Sequence, residues 1–284
     1  MKRVLVTGVG GFVGARAAEY FGKKHTLITM LKGMARAADE EAVRAFIAES
    51  HPELIVHTAA ISEIPDCERD PEASYRANVC LPVWIAKAAA PLGAKLLCFS
   101  SDQVYTGLDP RGVFEETQVC HPTNVYGRHK LEMEQRVLDI LPDSVMLRAT
   151  WMYDFPGYGL PIHGNLLVNL LAAAAKGETA RFSKADMRGI TYVRQVAELL
   201  EKTAEIPGGV YNYGSENPLN MYDTAKDFAD TLGIRLDLQE SDDRAPRSLA
   251  FSNRKLRGQG VAFDDTQTGI RRCVREYALK GFLC

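Results

Sequence analysis

An α/β fold, with a doubly wound parallel sheet and a smaller interleaved α/β lobe, is the fold class this sequence predicts. Three observations carry that expectation. Short, wholly apolar runs alternate with longer segments of helical period through the first half, a glycine-rich turn directly follows the first of those runs, and the alternation loosens after Arg148 into a stretch rich in Gly, Pro and aromatic residues. Strands covered by helices on both faces read as continuous apolar runs, whereas a sheet with one wet face alternates apolar and polar residues.

The strand candidates of the first half are Val4-Leu5-Val6, Thr26 to Leu31, Leu54-Ile55-Val56, Leu96 to Phe99 and Val145-Met146-Leu147. Helices lie between them. Ala15 to Phe21 follows the glycine turn, Glu41 to Glu49 carries Val43, Phe46 and Ile47 at three-and-four spacing, and Gly127 to Leu141 carries Leu131, Val137, Leu138 and Leu141 in phase. Beyond Arg148, the segment Trp151 to Gly164 is irregular. A helix is predicted near Asn165 to Lys176, a short strand near Thr179 to Phe182, a helix over Tyr192 to Thr203, a strand over Val210 to Tyr213 and a terminal helix over Asp265 to Leu279. The expected organisation is a dinucleotide-binding domain over residues 1–150, to which 190–213 returns, and a substrate-binding lobe formed by 151–189 and 214–284. There is no internal repeat and no low-complexity tract.

A chain of 284 residues buries a substantial core without staples. Its net charge of -2 leaves no basic footprint, so neither nucleic acid nor an anionic membrane is an expected partner, and a small molecule is. Cys67, Cys80, Cys98, Cys120, Cys273 and Cys284 form no CxxC pair and are expected as reduced thiols of a cytoplasmic protein. The apolar run after Met1-Lys2-Arg3 is broken from Gly8 onward, before a signal-peptide core can form, and no run approaches the roughly 20 residues needed to span a bilayer. The histidines show neither HExxH nor paired Cys/His spacing, so no metal is expected. Surface hydrophobic residues are candidates for a homodimer interface, but the sequence does not separate them from the core.

The turn Thr7-Gly8-Val9-Gly10-Gly11-Phe12-Val13-Gly14 lies between a strand and a helix, which is the context a dinucleotide fingerprint requires. Gly8, Gly11 and Gly14, with Phe12 and Val13, would let backbone approach a pyrophosphate, and the helix N-terminus would offer it free N–H groups and partial positive charge. A tight turn with no ligand is the bland alternative. An NAD site commonly has Asp or Glu at the end of the second strand to hold the ribose 2′-hydroxyl, whereas here the chain reads Met30-Leu31-Lys32-Gly33. Lys32 suits a 2′-phosphate, which favours NADP(H) over NAD(H); its ordinary alternative is a solvated loop lysine. After the third strand, Ala59 and Ala60 in His57-Thr58-Ala59-Ala60 are small enough to pass beside the cofactor, or simply to pack.

Tyr126-Gly127-Arg128-His129-Lys130 places a phenol and an ammonium one helical turn apart on one face. The ammonium is expected to favour the phenolate and draw the Tyr126 pKa down toward the working range of an acid–base catalyst. Ser101, at the end of the fourth strand in Phe99-Ser100-Ser101-Asp102, would hold a carbonyl oxygen by hydrogen bond. Hydride from a nicotinamide to carbon and a proton from Tyr126 to oxygen would then reduce a ketone. Alone, a Tyr and Lys at this spacing are an ordinary exposed pair; joined to the glycine turn and the strand-end serine, in this order, they indicate an oxidoreductase.

These segments, Thr7 to Gly14, His57 to Ala60, Ser100 to Tyr105 and Tyr126 to Lys130, resemble the extended short-chain dehydrogenase/reductases, whose nucleotide domain is of the Rossmann type. Within them, Arg148-Ala149-Thr150-Trp151, Asp186 to Val193, Arg244-Ala245-Pro246-Arg247 and Asn253-Arg254-Lys255-Leu256 are similar to the dTDP-4-dehydrorhamnose reductase group. The resemblance implies reduction of a 4-keto group on a nucleotide-linked deoxysugar by NADPH, with Ser101, Tyr126 and Lys130 as the triad, Tyr126 and Lys130 also beside the cofactor, and Trp151 beside the sugar. It further implies a supporting role for Asn78, whose alternative is a helix-surface asparagine. Ser62, Asp102 and Arg188 are expected at the substrate; Arg188, then Arg244 and Arg247, would grip a diphosphate through bidentate hydrogen bonds, although arginines are more often surface residues. Trp151 fits a core aromatic equally well.

The chain departs from that group after the second strand, where it reads Gly33 to Ala38, and at Met152 to Gly157, and it carries Glu63 near the expected substrate mouth. A 4,6-dehydratase of the superfamily would need an acidic residue where Gln103 stands. A sugar-nucleotide epimerase needs the same triad and stays open, with Lys32 weighing against tightly held NAD. A nucleotide-binding regulatory subunit stays open as well, because the group includes the non-catalytic beta subunit of methionine adenosyltransferase.

Overall fold

The computed structural model describes residues 1–30, 39–157, 159–241 and 245–278. Its first half follows the alternation: β1 (Arg3–Thr7), α1 (Phe12–Gly22), β2 (Thr26–Met30), α2 (Glu40–Ser50), β3 (Leu54–His57), α3 (Ile64–Arg69), α4 (Pro71–Tyr75), α5 (Leu81–Ala89), β4 (Lys95–Ser101), α6 (Val125–Ile140) and β5 (Val145–Ala149). There follow β6 (Trp151–Tyr153), α7 (Leu166–Lys176), β7 (Ala180–Phe182), β8 (Asp186–Met187), β9 (Ile190–Tyr192), α8 (Val193–Thr203), β10 (Gly209–Tyr213), α9 (Met221–Leu232), β11 (Leu238–Glu240), β12 (Arg247–Ser248), α10 (Arg254–Gly258) and α11 (Thr266–Ala278). Among the described residues no helix is long and apolar enough to cross a membrane.

Six strands form one parallel sheet in the order β10-β5-β4-β3-β1-β2. Because successive side chains of a strand point to opposite faces, its two sides build two cores. Val4, Val6, Val56, Leu97 and Leu147 pack on one face with Phe21 of α1 and Val196 and Leu200 of α8. Leu5, Ile55, Leu96 and Met146 pack on the other with Val43 and Ile47 of α2, Ile85 of α5 and Met133 and Val137 of α6. This is the predicted Rossmann-type, doubly wound architecture. The chain runs from β1 outward to β2, then crosses back to β3 on the other side of β1, so the order reverses between β1 and β3; ligands of such sheets bind outside the strand C-termini at that reversal.

A third core joins β6 and β9 to α7, α9 and α11 through Tyr153, Leu166, Leu170, Tyr192, Phe228 and Tyr277. Here the structure adds elements for which the sequence signal is weak. α9 begins where the Asn220 side chain accepts from the Asp223 N–H at 2.9 Å, and ends at Gly233 in the left-handed region. α8 packs on α1, and β10 extends the main sheet by pairing with β5, so the second half of the chain returns to the first. Between α4 and α5 the helix widens into a π turn over Arg76–Cys80. Pro82, just beyond it, has no N–H to offer the Asn78 carbonyl four residues back, and the wider turn absorbs that break.

Candidate active site

The glycine turn sits at the reversal point, and its glycines are needed for different reasons. Gly8 has φ +70°, and a Cβ there would lie 2.7 Å from Thr58 Oγ1 and 2.8 Å from Ala59 N. A Cβ at Gly14 would stand 2.2 Å from the Gly8 carbonyl oxygen, so α1 can press on the turn only without one. A Cβ at Gly10 would meet nothing within 4 Å, which leaves open space at the mouth of the turn. Gly11 enters α1 in extended conformation with no side-chain cap, so no side chain competes for the first-turn N–H groups. A close backbone approach, an uncapped helix N-terminus and open space beside Gly10 together fit a dinucleotide pyrophosphate. Lys32 and the segment Gly33 to Ala38 lie outside the described residues, as does Arg244.

Thr7 ties the turn to the end of β3. Its Oγ1 accepts from Thr58 N and Ala59 N, each at 3.2 Å, and lies 2.9 Å from His57 Nδ1. With its lone pairs so used, the threonine donates its own proton to Nδ1 and fixes the imidazole proton on Nε2. Burial, helped by the Lys130 charge, pushes the His57 pKa down to about 3, so the ring is neutral. Phe12 carries the Arg16 guanidinium 4.1 Å above its ring, and Val13 packs on the sheet. Arg16 is itself buried, donating to Asp154 Oδ2 at 2.7 Å and to the Phe12 and Pro161 carbonyls, which fastens α1 to the segment after β6.

Ser101 ends β4, and its Oγ accepts from Gln103 N at 3.2 Å to start the short 3₁₀ turn Asp102–Tyr105. α6 starts where Asn124 accepts from Gly127 N at 2.7 Å. A Cβ on Gly127 would fall 2.5 Å from the Gln103 carbonyl, so this glycine lets α6 close on the 3₁₀ turn. Tyr126 is thereby buried, with its hydroxyl on the Ser101 side. Lys130 Nζ lies 5.6 Å from the Tyr126 ring centroid and donates to the Phe99 carbonyl at 2.8 Å.

The expected lowering of the Tyr126 pKa is not what the structure holds. Burial raises it, with the Asp102 and Glu63 carboxylates adding in the same direction and the Ser101 hydroxyl opposing. Burial also brings Lys130 down to about 8, so its charge is weakly held. The spacing of four residues brought the two groups together, but burial is the largest influence on each of them.

One turn past Lys130, Glu134 is buried and takes Arg148 in a paired contact, Nε to Oε1 at 3.0 Å and Nη2 to Oε2 at 2.7 Å. Ser100 Oγ donates to the same carboxylate, and Arg148 Nη1 donates to Tyr105 Oη at 3.1 Å, which donates to Asn212 Oδ1. This network underpins the ends of β4, β5 and β10. A lone glutamate facing an apolar helix side and a lone arginine inside an apolar strand were its signals in the sequence.

Asn78 is fully buried in the π turn rather than on a helix surface. Its Oδ1 accepts from Ile61 N at 3.2 Å and its Nδ2 donates to Ile61 O at 2.9 Å and Ser74 Oγ at 3.1 Å, pinning the segment that carries Ala59, Ala60 and the exposed Ser62. Across the site, Arg188 Nη2 donates to Asp102 Oδ2 at 2.7 Å, and its guanidinium lies 5.4 Å from the Trp151 ring. Trp151 is half-buried and also packs on the third core, so its two readings coexist. Arg247 lies apart, paired through Nε and Nη2 with Asp186 at 3.1 and 2.6 Å. The structure thus gathers Ser101, Asp102, Tyr126, Lys130, Trp151 and Arg188, and leaves Arg247 outside the group.

A family model described as the RmlD substrate binding domain matches residues 1–274. A dTDP-4-dehydrorhamnose reductase of Mycolicibacterium smegmatis is 34% identical over 54% of this chain and 46% of its own length, so the match spans less than half of that relative. The methionine adenosyltransferase 2 subunit beta of Xenopus laevis is 29% identical over 82% of this chain and 73% of that one. The crystal structure of a dTDP-4-dehydrorhamnose reductase from Bacillus anthracis in complex with NADP superposes with a TM-score of 0.87 at 21% identity, covering 97% of this chain and 99% of the other, which shows that the fold is shared.

Proposed function

The chain belongs to the RmlD substrate binding domain family, and on that footing we propose that it is an NADP(H)-dependent reductase of a 4-keto group on a nucleotide-linked deoxysugar. The observation that carries the proposal is the convergence of Ser101, Tyr126 and Lys130 beside an uncapped glycine turn, at the carboxyl end of one parallel sheet.

Gly8, Gly11, Phe12, Val13 and Gly14 would hold the pyrophosphate, with Ala59 and Ala60 along the rest of the cofactor, and Lys32 is assigned the 2′-phosphate. When bound, the nicotinamide supplies hydride to the carbonyl carbon. Ser101 orients the carbonyl oxygen by donating to it. Tyr126, kept neutral by burial, is in the form that gives its proton to that oxygen as the C–O bond order falls. Lys130 lies under the phenol and steadies its charge as the proton leaves. Ser62, Asp102, Trp151 and Arg188 face the sugar nucleotide. In domain terms, residues 1–150 with 190–213 form the cofactor part, and 151–189 with 214–284 the substrate part.

A regulatory, binding-only role is the second reading, favoured by the similarity to the methionine adenosyltransferase subunit over most of the chain. The two separate in one assay. Protein mixed with NADPH and a dTDP-4-keto-6-deoxyhexose should lower the absorbance of the reduced cofactor in proportion to enzyme added. Cofactor binding with no such decrease across a panel of keto-sugar nucleotides would sink the reductase reading in favour of the subunit.

A further inference from the structure

The Asp102–Arg188 pair joins the catalytic serine to the opposite lobe. Asp102 is 2% exposed and the Arg188 side chain 12%, so neither charge is solvated enough to stand alone. Arg188 is bolted in place from behind: Asn217 Nδ2 donates to its carbonyl at 2.9 Å, and Gln267 Nε2 holds Asn217 Oδ1 at 2.9 Å. A Cβ at Gly189 would stand 2.0 Å from the Ser215 carbonyl, so the backbone beside Arg188 lies flat against the segment 214–217.

The carboxylate of Asp102 divides its two oxygens unequally. Oδ2 receives Arg188 at 2.7 Å, while Oδ1 has only long contacts, 3.3 Å from Ser101 Oγ and 3.4 Å from Gln103 Nε2. Ser101, whose Oγ accepts from Gln103 N through a lone pair, has the single proton of its hydroxyl to give. A carboxylate lacking its arginine would draw that proton into a short, charge-assisted bond of about 2.5–2.7 Å. The serine would then be unable to donate to a substrate oxygen.

We infer that Arg188 is a positioning residue: by holding and neutralising Asp102, it leaves the Ser101 hydroxyl free for the carbonyl oxygen of the substrate. The assignment rests on the reductase reading, and it replaces the diphosphate grip expected of this arginine. An arginine committed through Nη2 to a buried aspartate, with its plane near Trp151, acts on the sugar end through Asp102. Asp102 also stands next after burial in keeping the Tyr126 proton on the phenol, so its compensation bears on both proton-handling groups.

The test is a kinetic cycle with NADPH and a dTDP-4-keto-6-deoxyhexose, using wild type, Arg188→Met, Asp102→Asn and the double variant. Loss of Arg188 should lower kcat by about tenfold or more with KM within about threefold of wild type, a loss of the size a misdirected donor produces. In the Asp102→Asn background, the same loss should cost less than about threefold, because no charge is left to compensate. Arg188→Lys, which keeps the charge and guards against a folding failure of the methionine variant, should retain KM and recover part of kcat. A rise in KM alone in Arg188→Met or Arg188→Lys would overturn the inference and restore the diphosphate grip. Equal kcat losses in both Asp102 backgrounds would overturn it too. Wild-type protein that consumes no NADPH would instead remove the reductase reading, and this inference with it.

Discussion

Gly10, one position before Gly11, and Gly14, three positions after it, separate folding from cofactor binding. Alanine at Gly14 puts a methyl 2.2 Å from the Gly8 carbonyl oxygen, 2.6 Å from its carbon and 2.6 Å from Thr58 Oγ1. Two of those neighbours are main chain in a turn that β3 backs, so α1 must lift off the sheet. Overpacking of this kind costs about 1–3 kcal/mol or more. Alanine at Gly10 meets nothing within 4 Å, and its φ is not in the left-handed region, so the fold should be kept. Restricting the unfolded chain could add about 0.4–1 kcal/mol of stability. The new methyl nevertheless takes up space at the mouth of the turn, where the pyrophosphate would approach. NADPH binding should weaken by about tenfold or more, equivalent to about 1.4 kcal/mol. Denaturant melts without cofactor and fluorescence titration with NADPH read the two effects separately. A Gly10→Ala protein that binds NADPH like wild type, or one that loses as much stability as Gly14→Ala, would refute this reasoning.

Two further predictions concern the buried titratable groups. His57 is neutral in the fold with its pKa lowered from 6.5 to about 3, so the unfolded chain binds the extra proton first on acidification. The stability it allows above pH 6.5 should therefore fall between about pH 6.5 and 3, by roughly 1.4 kcal/mol per unit; urea melts from neutral to acid pH should show a shallower slope for His57→Gln, and parallel curves would contradict the assignment. Glu134→Gln removes the charge that satisfies buried Arg148 and should cost about 3 kcal/mol or more in chemical denaturation, with a loss below about 1 kcal/mol as the contrary result.

The main sheet was readable because its strands are buried on both faces and therefore apolar throughout, and the turn, the strand-end serine and the Tyr126–Lys130 spacing are local patterns. What escaped depends on partners distant in the chain. Gly127 looks like any helix glycine until the Gln103 carbonyl is seen against it, and Glu134 meets Arg148 only when α6 crosses β5. The resemblance points to a supporting role for Asn78, but periodicity alone does not separate that from a surface asparagine, because its burial comes from a π turn that hydrophobic periodicity does not reveal. The pKa of Tyr126 was mis-signed for a related reason. Spacing reports that Lys130 is near, but not that both groups are dry. The elements β11, β12 and α10 are too short to leave a periodic signal.

The central claim is that Tyr126 gives a proton to a keto oxygen while a reduced nicotinamide is bound at the glycine turn. Tyr126→Phe tests it most directly, because the ring that packs among Cys67 and Val125 is kept and only the hydroxyl is lost. The variant should bind NADPH within a few-fold of wild type, on the order of 1 kcal/mol or less, yet consume it with a dTDP-4-keto-6-deoxyhexose at least about a hundredfold more slowly. Tyr126→Phe protein that turns over at the wild-type rate would contradict the account.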